Sequence, residues 1–215
     1  MTLHFDLFWS FRSPYSYLAG PRLLELTHHY DVACVFRPVY PIALRIPGYF
    51  KRQDPVARAY FFRDIARVAD FRGMPLAWPK PDPVLMDFST GEVPQDQPFI
   101  HRLTQLGVAA ARRGRGLEFA RALSALIFGG AEGWDQGDRM ALATAQAGLD
   151  LAQLDGDIAA DPASFAAEIA ANEAAQTAAG HWGVPLMVLD DEPFFGQDRI
   201  DVLIWRLQQK GLRPR

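Results

Sequence analysis

The stretch "FWSFRSPYSYL", residues 8–18, places Ser13 and Ser16 with two residues between them, directly behind an aromatic run. Upstream, "LHFDLFW" (3–9) alternates weakly, but it is short and aromatic-rich, which suits a strand better than a helix. Downstream, "SPYSYLAGPRLLELTHHY" (13–30) predicts a helix. Ser13 stands at the cap position, Pro14 at the first helical position, and Leu23, Leu24 and Leu26 supply an apolar face. "DVACVFRPV" (31–39) then reads as a second strand. Strand, helix, strand is the opening of a parallel sheet with a crossover helix. The two serines therefore fall where the first strand hands over to the helix.

Beyond this unit the pattern turns helical. Asp54 and Pro55 open "PVARAYFFRDIARVADFRG", in which Phe61, Phe62, Ile65, Val68 and Ala69 recur at helical spacing before Gly73. A proline-rich connection runs from Met74 to Pro98. Three amphipathic segments follow it, "FIHRLTQLGVAAARRG", "GLEFARALSALIFGG" and "DRMALATAQAGL", separated by glycines. Asp161 and Pro162 start an alanine-rich helix that stops at Gly180. The chain then returns to strand chemistry. "VPLMVLD" and "EPFFG" are short β runs at hairpin spacing, and "QDRIDVLIWRLQQKG" ends the sequence as an amphipathic helix. A β-α-β unit and a β-β-α unit thus flank a helical block. No internal repeat or low-complexity tract interrupts it.

Composition excludes several function classes. At 215 residues and 49% hydrophobic content, the chain has enough apolar material for a full core. Its 22 basic residues nearly balance 25 acidic ones, giving a formal net charge of -3. No Lys/Arg run marks a phosphate-binding stripe, so nucleic acid is not an expected partner. No apolar segment approaches the roughly 20 residues that span a bilayer. "MTLHFDLFWS" lacks a basic region, an apolar core and a cleavage site, so the expected location is cytoplasmic, with no membrane partner. The single cysteine, Cys34, lies in the second strand and is expected to be a buried structural thiol. The histidines show no metal-ligand spacing, and no metal is expected. None stands in a recognisable nucleophile-base arrangement with Ser13, which argues against an acyl-transferring hydrolase.

Three segments, "SPYSYL", "AYFFRDIARVADFRGMPLAWP" and "GHWGVPLMVLDDEPFFGQDRIDVLIWRL", resemble the DsbA-related 2-hydroxychromene-2-carboxylate isomerases and the neighbouring kappa-class glutathione transferases. The likeness covers nearly the whole chain and is weakest between Met74 and Gly133. It implies an α/β fold, thioredoxin-like with a large all-helical insertion. Residues 1–45 and 180–215 would form the thioredoxin-like part, and residues 46–179 the insertion and its connecting helix. It also implies glutathione as cofactor and a homodimer.

The resemblance assigns roles that the residues can carry physically. In related redox proteins the first helix starts with two cysteines, and its N-H groups and dipole lower a thiol pKa. Here both positions are serine, so dithiol exchange is implausible, while the helix terminus still suits an anion. Ser13 becomes the expected catalytic residue, its hydroxyl facing the thiolate of a bound glutathione. Serine before proline is also an ordinary helix cap, and that reading stands beside the first. Ser16 is expected to be structural.

Val184 and Pro185 in "WGVP" correspond to the family's cis-proline, which would leave the Val184 backbone free to pair with the cysteinyl part of glutathione. Gln197 and Asp198, opening the last helix, would meet the γ-glutamyl end, with Asp198 receiving its ammonium. A plain helix cap is the alternative for Asp198, and Arg199 reads as a surface or ion-pair residue. Trp182 and His181 are candidates to line the cofactor groove, although Trp182 equally suits a core. Trp78 and prolines 79, 81 and 83 either rim an apolar substrate pocket or pack the bundle.

The chain also departs from the family pattern. Many relatives have an asparagine after the second strand, where "RPVYPIALRIPGYF" offers only Tyr49 or Phe50. An aspartate before the active serine is replaced by Ser10. Arg12 is unusual, and it either brings positive charge to the thiolate or an anionic substrate, or is simply solvated. The expected function is a glutathione-dependent isomerase of an unsaturated aromatic-derived carboxylate. The alternatives are a kappa-class-like transferase or a noncatalytic binder of glutathione or thiol peptides.

Overall fold

The computed structural model describes residues 2–87 and 89–215. Four strands form one sheet in the order β2-β1-β3-β4. Strand β1 (Leu3–Trp9) runs parallel to β2 (Val32–Pro38) and antiparallel to β3 (Leu186–Leu189), and β4 (Glu192–Phe195) pairs antiparallel with β3. Leu7 is the hinge of the register, opposite Phe36 on one side and Met187 on the other. An interior strand covered on both faces reads as an almost continuous apolar run. That is why "LHFDLFW" alternates so weakly, since Phe5, Leu7, Phe8 and Trp9 are all buried.

Helix α1 (Pro14–His29) crosses from β1 to β2 as the sequence predicts. Six helices and a short turn-like helix fill the excursion between β2 and β3: α2 (Ile42–Arg45), α3 (Pro55–Arg72), α4 (Ile100–Arg112), α5 (Gly116–Phe128), α6 (Arg139–Gln146), α7 (Leu151–Ala160) and α8 (Pro162–Ala178). Helix α9 (Ile200–Gln209) ends the chain. Helix α3 is stopped as its sequence signals. The Asp54 side chain accepts from the N-H groups of Val56 and Ala57 at 2.7 and 3.2 Å, and Gly73 closes the helix at φ 61.

The helical block is not a separate layer. Helix α5 packs on α1, and α4 on β2, and one cluster of buried side chains runs from Trp9 and Phe11 through Phe119 and Phe128 to Trp134 and Phe165. Close approach depends on two glycines. A methyl group at Gly116 would lie 2.7 Å from Phe36, and one at Gly107 would lie 2.8 Å from Phe11.

Several elements depart from expectation. Helices α2 and α7 are additions, as is a 3-10 turn at Phe50–Arg52. Helix α7 did carry a signal, because Asp150 caps it by accepting from the Gln153 N-H at 2.8 Å. Gln197 and Asp198 do not open the last helix directly. They form a 3-10 turn, Gln197–Arg199, ahead of it. Cys34, on the edge strand β2, is partly exposed as a residue, while its thiol itself is enclosed.

The described residues of the proline-rich connection from Met74 to Pro98 form neither helix nor strand, yet they are tied down. The Ala77 N-H donates to the Phe128 carbonyl at 2.8 Å, and the Trp134 indole N-H to the Pro81 carbonyl at 2.7 Å. Its most consequential tie is ionic. Arg12, at the end of the β1-α1 loop, donates from Nε and Nη2 to the two carboxylate oxygens of Asp82 at 2.8 and 2.9 Å. The two side chains are only 6% and 11% exposed. The reading of Arg12 as solvated is therefore wrong, since the connection folds over it.

Breaking such a pair from one side leaves a buried charge, whereas neutralising both sides does not. Asp82→Ala is expected to destabilise the fold by about 3–5 kcal/mol, and the double change Arg12→Met with Asp82→Asn by much less. Urea denaturation of the two variants measures the difference, and equal losses would show that the pair is not a buried ionic tie.

Candidate functional site

Ser13 sits at the Ncap position with extended backbone, φ -97 and ψ 112. Its Oγ accepts from the Ser16 N-H at 3.1 Å and donates to the Val184 carbonyl at 3.3 Å. The cap reading is thus correct, but it does not exhaust the hydroxyl. Pro14 has no N-H, and Ser16 spends its own on Ser13. Tyr15 holds the remaining N-H of the first turn, and no described residue accepts from it. Ser16 is fully buried and lies beneath this turn.

Opposite stands the loop before β3, where Val184–Pro185 is a cis peptide. Four successive carbonyls of this loop each receive a donor. Arg45 reaches Trp182 at 2.8 Å, Gln176 reaches Gly183 at 2.7 Å, Ser13 reaches Val184, and the Gly196 N-H reaches Pro185 at 2.9 Å. Arg45 and Gln176 are joined to each other at 2.7 Å, and Arg45 is also fixed to the Tyr40 carbonyl at 2.6 Å. The Val184 N-H, by contrast, meets no acceptor among the described residues. Gly183 is required by crowding, because a methyl group there would lie 2.3 Å from the Phe195 ring and 2.9 Å from His181. The His181 ring stacks on Phe195 at 3.9 Å, and its Nδ1 accepts from the Gly183 N-H, while burial pushes its pKa down.

Between these elements opens a cavity of about 420 Å³. Ser13, Val184, Trp182 and Phe195 form one side, and Phe50 and Trp78 belong to the other. Trp182 is 46% exposed and packs edge-on against Tyr49 at 5.5 Å, so it is a rim aromatic and not a core one. Tyr49 and Phe50, standing where an asparagine was sought, both line the cavity. So does Trp78, but prolines 79, 81 and 83 do not. Arg12 lines it too, its guanidinium 5.4 Å from the Phe50 ring centre and 5.8 Å from that of Trp78. Ser10 is buried beside it, and its carbonyl accepts the Ser13 N-H at 3.1 Å.

Tyr15 also lines the cavity. Its phenol donates to Asp64 on α3 at 2.7 Å. Burial pushes that phenol up, and the hydrogen bond and charge of Asp64 push it further, with a smaller push from Asp198. The turn that carries Asp198 packs against α1, although neither Asp198 nor Gln197 lines the cavity. Gln197 is buried, and its side-chain oxygen accepts from Arg72 at 2.5 Å. Asp198 is 59% exposed and pairs with Arg199 at 3.3 Å, the ion-pair role read for that arginine.

The structure thus gathers Arg12, Ser13, Trp182 and Val184 around one cavity, with Pro185 immediately behind. Arg45, Gln176, Asp82 and Asp64, which do not line the cavity but hold Trp182, Gly183, Arg12 and Tyr15 in place, are the residues that sequence reasoning missed. Asp82 was hidden in "KPDPV", a connection without periodicity, and Arg45 in a helix of four residues. Cys34 lines a different cavity, against β2, and burial pushes its thiol pKa up. Among the described residues no group of His, Cys, Asp and Glu is arranged to hold a metal ion.

The DSBA-like thioredoxin domain family matches residues 4–208. No curated protein matches the sequence. Among solved structures, a 2-hydroxychromene-2-carboxylate isomerase is similar at 20% identity with a TM-score of 0.71, covering 96% of this chain and 95% of that one. A probable DsbA oxidoreductase from Streptomyces coelicolor is 20% identical with a TM-score of 0.65, over 96% of this chain and 89% of that one. The cytosolic disulfide reductase DsbM from Pseudomonas aeruginosa, solved with GSH, is 17% identical with a TM-score of 0.57, over 96% and 100%. At these identities the likeness is one of fold, and it agrees with a four-stranded sheet interrupted by a helical excursion. With nearly its whole length matched, this chain belongs to the DSBA-like thioredoxin domain family.

Proposed function

We propose that the protein is a glutathione-dependent isomerase acting on an unsaturated aromatic-derived carboxylate. The observation that carries this reading is the pairing of Ser13 with Val184 at the cavity mouth. A hydroxyl on a helix N-terminus and a loop backbone with its N-H unspent face one opening, and no cysteine stands there. The residues fit a thiol peptide. The Val184 N-H suits a peptide carbonyl, the Tyr15 N-H and the helix dipole suit an anion, and the aromatic rim of Trp182 and Tyr49 covers apolar surface. Asp198, exposed and held only by its neighbour, suits the γ-glutamyl ammonium. Gln197 is already spent on Arg72 through its oxygen and contributes only its amide N-H groups.

When bound, glutathione supplies a thiolate able to add reversibly to a conjugated bond. The chain's own part is to hold that charge and shape the reaction space. The Ser13 hydroxyl has a single proton, now directed at the Val184 carbonyl over a long 3.3 Å contact. Turning it toward an incoming thiolate exchanges a weak neutral hydrogen bond for a stronger charge-assisted one. Two similar structures support the reading, one an isomerase and one solved with GSH. A conjugating transferase would use the same residues and differ in keeping the thioether product, and a noncatalytic binder would show neither reaction.

Calorimetric titration with glutathione is the first test, and absence of binding to the wild-type protein would remove both enzyme readings. Ser13→Asp then separates capping from thiolate binding, because Asp is a good cap but brings a like charge. The variant is expected to melt within about 1 kcal/mol of wild type. The bound thiol, its pKa raised by repulsion, should show thiolate ultraviolet absorbance only at higher pH. An unchanged titration curve would reduce Ser13 to a cap.

Redox chemistry gives an independent check. With one cysteine, half-buried on β2 and distant in sequence from the Ser13 turn, the chain has no pair to cycle. It is expected not to reduce insulin disulfides catalytically. Multiple turnovers that survive Cys34→Ser would place the active chemistry elsewhere.

A further inference from the structure

Among the described residues, the cavity beside Ser13 is lined by three cationic side chains, Arg12, Lys51 and Arg58, and by no carboxylate, although the chain as a whole is net negative. Lys51 is largely spent, exposed and paired with Glu92 at 3.3 Å. Arg58 has no carboxylate partner among the described residues but is only partly buried, on the outward-lying α3. Arg12 is different. Its side chain is 94% buried, since only 6% is exposed, and its fork is fixed by Asp82 through Nε and Nη2. Nη1 has no partner among the described residues.

A guanidinium held in one orientation, with one nitrogen left over and flat rings of Phe50 and Trp78 against it, is a preorganised donor for a single acceptor group on a planar molecule. It also lies with the Phe50 and Trp78 wall, while the unspent Val184 N-H belongs to the loop carrying Trp182. We propose that Arg12 is the specificity-determining residue for the second substrate: its Nη1 takes the carboxylate while the aromatic wall takes the planar body. This rests on the glutathione-dependent reading of the site, and it adds a residue and a geometry to it. Asp82 acts as a positioning residue. It aims the fork and keeps Arg12 from being an unpaired buried charge, so that the cavity favours a directed anion over any anion.

The test uses trans-cinnamate and its neutral isostere trans-cinnamamide as probes, with binding read by quenching of tryptophan fluorescence, since Trp78 and Trp182 line the cavity. Wild type is expected to bind cinnamate about tenfold or more tighter than cinnamamide, the difference a hydrogen bond to a charged group makes. In Arg12→Met with Asp82→Asn the ratio should fall to about one, with glutathione affinity measured calorimetrically on the same protein unchanged within about twofold. If the double variant melts early, Arg12→Lys keeps the charge and the Asp82 partner but loses the directed Nη1, and its ratio should be intermediate.

Equal affinities for the two probes in wild type, no binding of either at millimolar concentration, or a ratio that survives in the variants overturns the assignment. A loss of glutathione affinity with the cinnamate preference intact also overturns it, placing Arg12 in the thiol-peptide subsite. Failure of wild type to bind glutathione, with the probe ratio as expected, would instead remove the isomerase reading and leave Arg12 as an anion-selective donor.

Discussion

Four consecutive carbonyls, from Trp182 to Pro185, are each held by a different element of the fold: α2, α8, the N-terminus of α1, and the turn after β4. Unpaired backbone carbonyls in a partly enclosed loop are costly, so each donor is a positional constraint as well as a hydrogen bond. Together they fix the loop against the start of α1, while the Val184 N-H has no acceptor among the described residues. The cavity, its aromatic rim and the position of Ser13 all follow from that docking. The helical excursion is part of the site for the same reason, because Arg45 and Gln176 come from its two ends and clamp what β3 begins.

Different parts of the chain were legible to different degrees. Strand β1, helix α1 and the capped helix α3 follow from local signals, in which a proline, a cap residue or a terminal glycine marks a boundary whatever the rest of the chain does. Ser13, Val184 and Trp182 were found because they sit in compact motifs. Asp82 and Arg45 were not, because their importance lies in partners 70 and 137 residues away in the chain, Arg12 and Trp182. No periodicity reports such a contact. The outcome for Arg12 shows the limit most clearly. A charged residue beside a helix start is usually solvated, and only the folding of a proline-rich segment across it makes it one of the most buried charges in the molecule.

The same connection shows how structure can be specified without regular elements. In residues 74–98 six prolines lack a backbone donor, and carbonyls in the first part of the segment are satisfied from elsewhere, Pro75 by the Tyr17 hydroxyl, Lys80 by the Gly133 N-H and Pro81 by Trp134. Rigidity here is borrowed from the bundle. A cavity wall built this way can vary in shape without disturbing the sheet, whereas the opposite wall, fixed by the four held carbonyls and by the crowding around Gly183, has little room to change.

The position of Cys34 gives the molecule an unplanned practical property. Its thiol is held in the protonated form well above neutrality by burial, and it lines a cavity separate from the one at Ser13. Burial disfavours the Cys34 thiolate, which favours a quiet background for thiol chemistry at the other cavity. Thiolate absorbance gained at neutral pH when a thiol is added therefore reports first on what the Ser13 cavity has taken up.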